Sequence, residues 1–186
     1  MKSELMAAAL LAVSIMAAGT PAHAAPAKKT LIVYYSCGGN TRVVAEQIKE
    51  ATGADLFEIV PVKPYPTAYR QTTEQAKREI NADFRPEIRG KVANMASYDV
   101  IILGSPCWWG TVAPAVMTFL ESYDLSGKTI APFMTHEGSR MGHSESDIKR
   151  LAPRSTLLGG LPIRGGSVRE AKDDVIRWLR GKGLLN

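Results

Sequence analysis

The chain has 186 residues, 45% of them apolar and 22% charged, with a net charge of +5. That is enough for one domain with a proper hydrophobic core, and the composition is that of a globular protein rather than a disordered or membrane one. The basic residues are scattered and not interleaved with aromatics, which argues against a nucleic-acid partner; the surplus favours anionic or acidic partners.

The first residues stand apart. Met1-Lys-Ser-Glu4 is followed by an apolar run from Leu5 to Ala18 and then by Gly19-Thr-Pro-Ala-His-Ala24. Small residues at Ala22 and Ala24 mark a cleavage site, so residues 1–24 read as a secretory signal removed after Ala24. The run is shorter than the ~20 residues a spanning helix needs, so no membrane span is expected in the mature chain. Lys2 and Glu4 leave together, so the mature net charge stays at +5. The expectation is an exported protein, periplasmic or secreted. Residues 25–30 form a short leader into a domain covering 31–186.

Leu31 to Tyr35 reads as a buried strand. It breaks at Ser36-Cys-Gly-Gly39, and a helix from about Thr41 to Thr52 follows, with Val44, Ala45, Ile48 and Ala51 on one face. Leu56 to Val60 is a second strand. Pro61, Pro64 and Pro66 keep the next connection extended. A second helix spans about Thr67 to Asn81, with Tyr69, Thr73, Ala76 and Ile80 on one face. Residues 82–97 are polar and irregular, with a helical turn before Tyr98.

Val100 to Gly104 is the most hydrophobic strand of the mature chain, and such a run suits a strand covered on both faces. Ser105-Pro-Cys-Trp-Trp-Gly110 forms a loop. A third helix covers about Pro114 to Tyr123, and a fourth strand runs from Thr129 to Met134. Ser144 with Asp147, and Ser167 with Glu170, are capping-box patterns opening the fourth and last helices. Ser155 to Leu158 is a short fifth strand, and the last helix buries Val168, Ala171, Val175 and Trp178 or Leu179. Strand and helix thus alternate five times, which predicts a three-layer α/β domain with a doubly wound parallel sheet of order 2-1-3-4-5. Ligands of such sheets lie beyond the carboxyl ends of the strands, at the switch between strands one and three.

Three loops meet there. Ser36 to Thr41 joins a strand to a helix start through two glycines, offering backbone N–H groups, hydroxyls and a positive dipole end to an anion. Ser105 to Gly110 presents Trp108 and Trp109, and adjacent residues cannot both face one interior, so one is available to a ligand. The third loop offers Thr135, His136, Gly138 and Ser139. Phosphate donors with flat aromatic surfaces imply a ligand that has a phosphate and a planar ring system. The first loop lacks Gly-x-Gly-x-x-Gly and Gly-Lys-Ser/Thr, which disfavours dinucleotide and triphosphate sites. No metal-ligand cluster stands out.

Val33-Tyr-Tyr-Ser-Cys-Gly-Gly-Asn-Thr41, Pro61-Val-Lys-Pro-Tyr-Pro66 and Gly104-Ser-Pro-Cys-Trp-Trp-Gly110 resemble the flavodoxin family, especially its short flavodoxin-like branch; Thr135 to Gly142 and Gly160 to Arg164 fit it too. The resemblance implies non-covalently bound FMN and one- or two-electron transfer. It assigns Ser36, Gly38, Gly39, Asn40 and Thr41, with Cys37 among them, to the FMN phosphate. Pro106, Cys107, Trp108, Trp109 and Gly110 would flank the isoalloxazine. Thr135, Gly138 and Ser139 would touch its pyrimidine side or the ribityl chain, His136 is a candidate ring neighbour or proton donor, and Tyr65 and Tyr69 would reach the ring edge.

Two departures stand out. Gly38 occupies a place where flavodoxins commonly carry a hydroxyl, so one phosphate hydrogen bond is missing. The chain is also basic and carries an export signal, whereas flavodoxins are usually acidic and cytosolic. A positive environment favours the anionic reduced flavin and raises its potential.

Cys37 and Cys107 are the only cysteines. They follow strands that the proposed order makes neighbours, so a disulfide or redox pair at the flavin is a further expectation. The leading function is an electron carrier between redox partner proteins. The alternative is an FMN-dependent oxidoreductase reducing a small acceptor, a quinone or a disulfide.

Overall fold

The computed structural model of the chain describes residues 28–185. The expected signal segment, 1–24, lies outside the described residues. In chain order the elements are β1 (Thr30–Tyr34), α1 (Asn40–Thr52), β2 (Asp55–Glu58), β3 (Val60–Pro61) and α2 (Tyr69–Asn81). Then come β4 (Ile88–Arg89), β5 (Val100–Trp108), β6 (Thr111–Val112), α3 (Pro114–Glu121) and β7 (Thr129–His136). The chain finishes with α4 (Ser144–Leu151), β8 (Thr156–Leu157), β9 (Leu161–Arg164) and α5 (Lys172–Gly181). Among the described residues no helix is long and apolar enough to cross a membrane.

The main sheet is parallel in the order β2-β1-β5-β7-β8, which is the expected 2-1-3-4-5. The alternation of side chains along each strand sorts the core into two layers. Leu31, Val33 and Tyr35 join Ile101, Leu103, Ile130 and Met134 beneath α3 and α4. Ile32 and Tyr34 join Val100, Ile102, Ala131 and Phe133 beneath α1 and α5. Each fully buried Leu, Ile or Phe contributes roughly 1.5–3 kcal/mol. Both faces of every central strand are therefore stabilised by burial, which explains why Val100 to Leu103 has no polar residue.

The structure corrects several expectations. Thr30 belongs to β1 rather than to a leader. Strand two ends at Glu58, and Val60–Pro61 turns away to pair with Ile88–Arg89 in a small hairpin, so residues 82–97 are not wholly irregular. Helix α2 buries Thr72 and Ala76, while Tyr69 is 74% exposed. Neither capping box forms. Helix α4 has no side-chain cap, and Asp147 bonds Thr111 and His143 instead of closing back on Ser144. Ser167 lies inside the 3-10 turn Gly165–Glu170, and α5 starts after it at Lys172.

The fifth strand is split. β8 pairs with the start of β7, and β9 pairs with its end from Phe133↔Leu161 to His136↔Arg164. Gly159-Gly160 lies between them, and a Cβ on Gly160 would sit 2.2 Å from Met141 Cε.

One glycine is demanded by packing. Gly104 stands beside Phe133 on the next strand, and a Cβ there would lie 2.2 Å from the ring's Cζ. Overpacking of this kind costs about 1–3 kcal/mol. Gly104→Ala is expected to lower unfolding stability by an amount in that range, read as a lower urea midpoint; an unchanged midpoint would show that the ring yields freely.

Candidate functional site

β1 ends at Tyr34, and its pairing continues for one residue, with Tyr35 N donating to Gly104 O at 3.0 Å. The chain then turns. Ser36 Oγ accepts from the backbone N–H of Gly39 at 3.1 Å and of Arg42 at 3.3 Å, which folds the turn back over the helix start. Gly39 has φ 95°, a left-handed conformation that favours glycine. Asn40 and Thr41 open α1, so their N–H groups have no intrahelical acceptor. No acidic residue lies in this first turn. Arg42 faces away, bonded to Tyr34 and Glu58. The cradle is thus a positive helix end built from neutral donors.

Thr41 Oγ1 meets Thr135 Oγ1 at 2.8 Å, both buried, and this bond fastens the cradle to the end of β7. Sequence reasoning placed both residues at the site but gave no sign of the bond between them.

The second loop differs from expectation. β5 does not stop at Gly104; it continues to Trp108 and pairs with β6 through Cys107↔Val112 and Trp108↔Thr111. Trp109 and Gly110 form the two-residue turn, at φ 53° and 84°. Two positive φ values suit the twist of a hairpin. A non-glycine there is uncommon, and Trp109 is held by two outside contacts. Its indole N–H donates to Thr73 O at 2.9 Å, and Lys77 Nζ lies 4.6 Å from its ring centroid.

The tryptophans divide as adjacency requires. Trp109 is 52% exposed, while Trp108 packs inward between Tyr35, at 5.6 Å between ring centroids, and Tyr65, at 4.9 Å. Burial raises the pKa of both tyrosines well above the ordinary phenol range, with Cys37 and Glu79 nearby adding to the effect, so both stay neutral.

The hairpin is clamped from behind. His143 N donates to Gly110 O at 2.7 Å, Thr111 Oγ1 donates to Asp147 Oδ2 at 2.5 Å, and the same carboxylate oxygen meets His143 Nδ1 at 2.6 Å. These hydrogen bonds hold the Asp147 carboxyl below its ordinary pKa, although its partial burial works against them. Gly142 permits the approach, since a Cβ there would lie 2.1 Å from Gly110 O. The sequence alone named no partner for His143; the i, i+4 spacing to Asp147 was the available signal.

β7 ends in Thr135 and His136. His136 is half-buried, and its Nδ1 is buried without a partner. Its pKa is lowered, first by burial and then by Arg140, with Arg164 adding to the effect and Glu137 opposing it.

These parts open on one cleft of about 510 Å³. It is lined by Ser36, Cys37, Gly38, Asn40 and Thr41, by Pro106 to Gly110, and by Thr135, His136, Gly138 and Ser139. Of the expected residues Gly39 shapes the turn without lining the cleft, and Tyr65 lies in the core beneath Trp108. Tyr69 does reach the lining, joined by Thr67, Thr72, Thr73 and Glu137, which the sequence did not single out. Both cysteines are free thiols, Cys37 exposed and Cys107 half-buried. No cluster of metal-ligating side chains occurs among the described residues.

The family model described as Flavodoxin matches residues 29–181. The chain belongs to the flavodoxin family. A Lactobacillus acidophilus flavoprotein crystallised in complex with FMN is 29% identical with a TM-score of 0.66, covering 79% of this chain and 99% of its own. A Bacteroides uniformis protein, provisionally described as a flavoprotein, is 31% identical with a TM-score of 0.73, covering 82% of this chain and 98% of its own. A Cupriavidus metallidurans protein named NAD(P)H dehydrogenase (quinone) is 30% identical over 150 residues, 72% of this flavodoxin and 71% of the relative.

The lowered pKa of His136 has a definite sign. The unfolded imidazole takes up its proton near its ordinary value of 6.5, whereas the folded one resists it. Stability tied to His136 is complete above about pH 6.5 and is lost as pH falls toward the folded value. An NMR titration of His136 is expected to give a midpoint below 6.5, and His136→Gln is expected to flatten the stability profile in that window.

Proposed function

We propose that this flavodoxin binds FMN non-covalently in the cleft and passes its electrons between redox partners. The observation that carries the reading is the convergence, on one cleft, of an open helix start without an acid and an exposed tryptophan face. A phosphate needs the first and a planar ring the second. The donor set fits the cofactor: the backbone of Gly38 to Thr41 with the hydroxyls of Ser36 and Thr41 would hold the phosphate. Thr135, Gly138 and Ser139 would line the opposite wall. The unpartnered Nδ1 of His136 offers a hydrogen bond to a polar ring edge.

When bound, FMN supplies reversible one- and two-electron chemistry. The protein's own residues position and tune it. Trp109 would cover a ring face, and Trp108 closes the floor against Tyr35 and Tyr65. His136, whose pKa is lowered by burial and by Arg140, would offer a hydrogen bond there without adding charge. The Thr41–Thr135 bond keeps the phosphate and ring ends of the cleft in register.

A second reading, an FMN-dependent reductase of a small acceptor, draws on the quinone-dehydrogenase name of the Cupriavidus relative. We further read the chain as exported, on the apolar run and cleavage site of residues 1–24.

The purified protein is expected to be yellow, or to quench the fluorescence of added FMN stoichiometrically. A colourless protein that leaves FMN fluorescence unchanged would refute the cofactor. Steady NAD(P)H-driven turnover with a quinone, in the absence of partner proteins, would favour the reductase over the carrier. A Cβ at Gly38 meets nothing within 4 Å, and its φ is not left-handed, so a hydroxyl side chain fits there. Gly38→Ser is expected to tighten FMN about tenfold, the order of one added hydrogen bond to a charged group.

A further inference from the structure

The two cysteines sit in a relation that the flavin site does not use. Each residue of β1 lies beside the residue 70 positions later on β5, from Thr30↔Val100 to Tyr34↔Gly104. The Tyr35 N–H bond to Gly104 O carries this pairing past the end of β1. Beyond this pair of strand ends Cys37 stands on the turn that follows Tyr35, and Cys107 on the continuing β5. The strands they leave are about 4.8 Å apart, and a disulfide spans a Cα separation of about 4.4–6.8 Å.

The side chains share a layer as well. Cys107 packs against the cluster that holds Tyr35, Tyr65 and Trp108. Cys37 lies next to the Tyr35 hydroxyl in that cluster. Both thiols line the cleft, one exposed and the other half-buried. An accessible thiol backed by a shielded one is the arrangement that disulfide exchange requires, because the first must meet the substrate and the second only its neighbour.

We propose that Cys37 and Cys107 form a reversible dithiol/disulfide couple that reduces a small disulfide substrate and is recharged by reduced flavin in the same cleft. The Cys37 thiolate attacks one substrate sulfur. The substrate S–S bond breaks, and the departing thiolate takes the proton that Cys37 gave up. Cys107, as thiolate, then attacks the Cys37 sulfur of the mixed disulfide. The internal S–S bond forms, and the second substrate thiolate leaves with the Cys107 proton. The protein has lost two electrons and two protons, and the substrate has gained them. With FMN bound, its reduced form would supply the two electrons and two protons that break the internal bond and restore both thiols. The buried Tyr35 hydroxyl lies near Cys37 and stays neutral.

The flavin half of this cycle rests on the FMN reading above; the dithiol half does not. The purified protein is equilibrated with mixtures of reduced and oxidised glutathione, and its thiols are counted by alkylation and intact mass. Both thiols are expected to disappear together in the monomer, leaving it two hydrogens lighter, and dithiothreitol is expected to restore them. Cys107→Ser should instead retain glutathione on Cys37, and Cys37→Ser should form no internal bond. Two persistent thiols, or glutathione on the wild-type protein without an internal bond, would overturn the couple.

In the second arm the flavin of the oxidised protein is photoreduced without air. Return of both thiols as flavin absorbance recovers supports the transfer; flavin that stays reduced over an intact disulfide overturns it. A protein without flavin absorbance refutes the FMN reading, while the thiol count still decides the couple.

Discussion

The constraint on which this molecule depends is the side-by-side parallel pairing of β1, β5 and β7. Parallel strands place all their carboxyl ends at one edge, and the three loops that leave those ends have no choice but to meet. Burial maintains the pairing. The strands are covered by α1 and α5 on one face and by α3 and α4 on the other, which requires apolar side chains of both parities. A polar substitution near Ile102 or Leu103 would therefore act on the cleft without touching it. Gly104 shows how tight this arrangement is: the strand next to it has already claimed the volume of its missing side chain.

What the sequence made legible follows from the range of the forces involved. The five strand–helix units and their order came from hydrophobic runs and periodicity, which report burial residue by residue. The cradle was legible because a strand, a glycine turn and a helix start are contiguous. The capping boxes failed for the opposite reason. Ser144 and Asp147 have the right spacing, but Thr111 and His143, brought close by the fold, offered the Asp147 carboxylate better partners. The extension of β5 through Pro106 to Trp108 was hidden because β6 and the end of β7 supply its partners, and neither is near in sequence. Tyr65 was assigned to the ring edge by proximity to strand two, yet the space beneath Trp108 was the larger apolar sink.

The tryptophan pair shows how the fold turns one local choice into two roles. Trp108 is still on the strand, at the last pair before the turn, and it packs into the layer with Tyr35 and Tyr65. Trp109 has left the strand and sits at positive φ, a conformation that costs a bulky residue of order 1–3 kcal/mol. Contacts outside the hairpin offset this: the Thr73 carbonyl and Lys77 from α2 on one side, and the Gly110–His143 bond on the other. The exposed indole is thus held by two separate elements, and its position depends on tertiary structure more than on the turn itself.

Charge is distributed more finely than the net value of +5 implies. At the cradle Arg42 is taken up by Glu58 and Tyr34, so the helix end and neutral donors attract an anion there without a guanidinium. At the other end of the cleft the cations are not neutralised to the same extent. Arg140 and Arg164 outweigh Glu137 around His136, and together with burial they disfavour a second positive charge on the imidazole. The cations that add to burial in disfavouring charge on His136 also favour negative charge that accumulates nearby. A ligand that gains electrons in this cleft would therefore be stabilised most at the β7 end, where two arginines face one carboxylate. The phosphate cradle, although it also attracts anions, is built from fixed dipoles that do not change with redox state. On the proposed reading, binding would fall to β1 and redox tuning to β7, with β5 and its tryptophans between them.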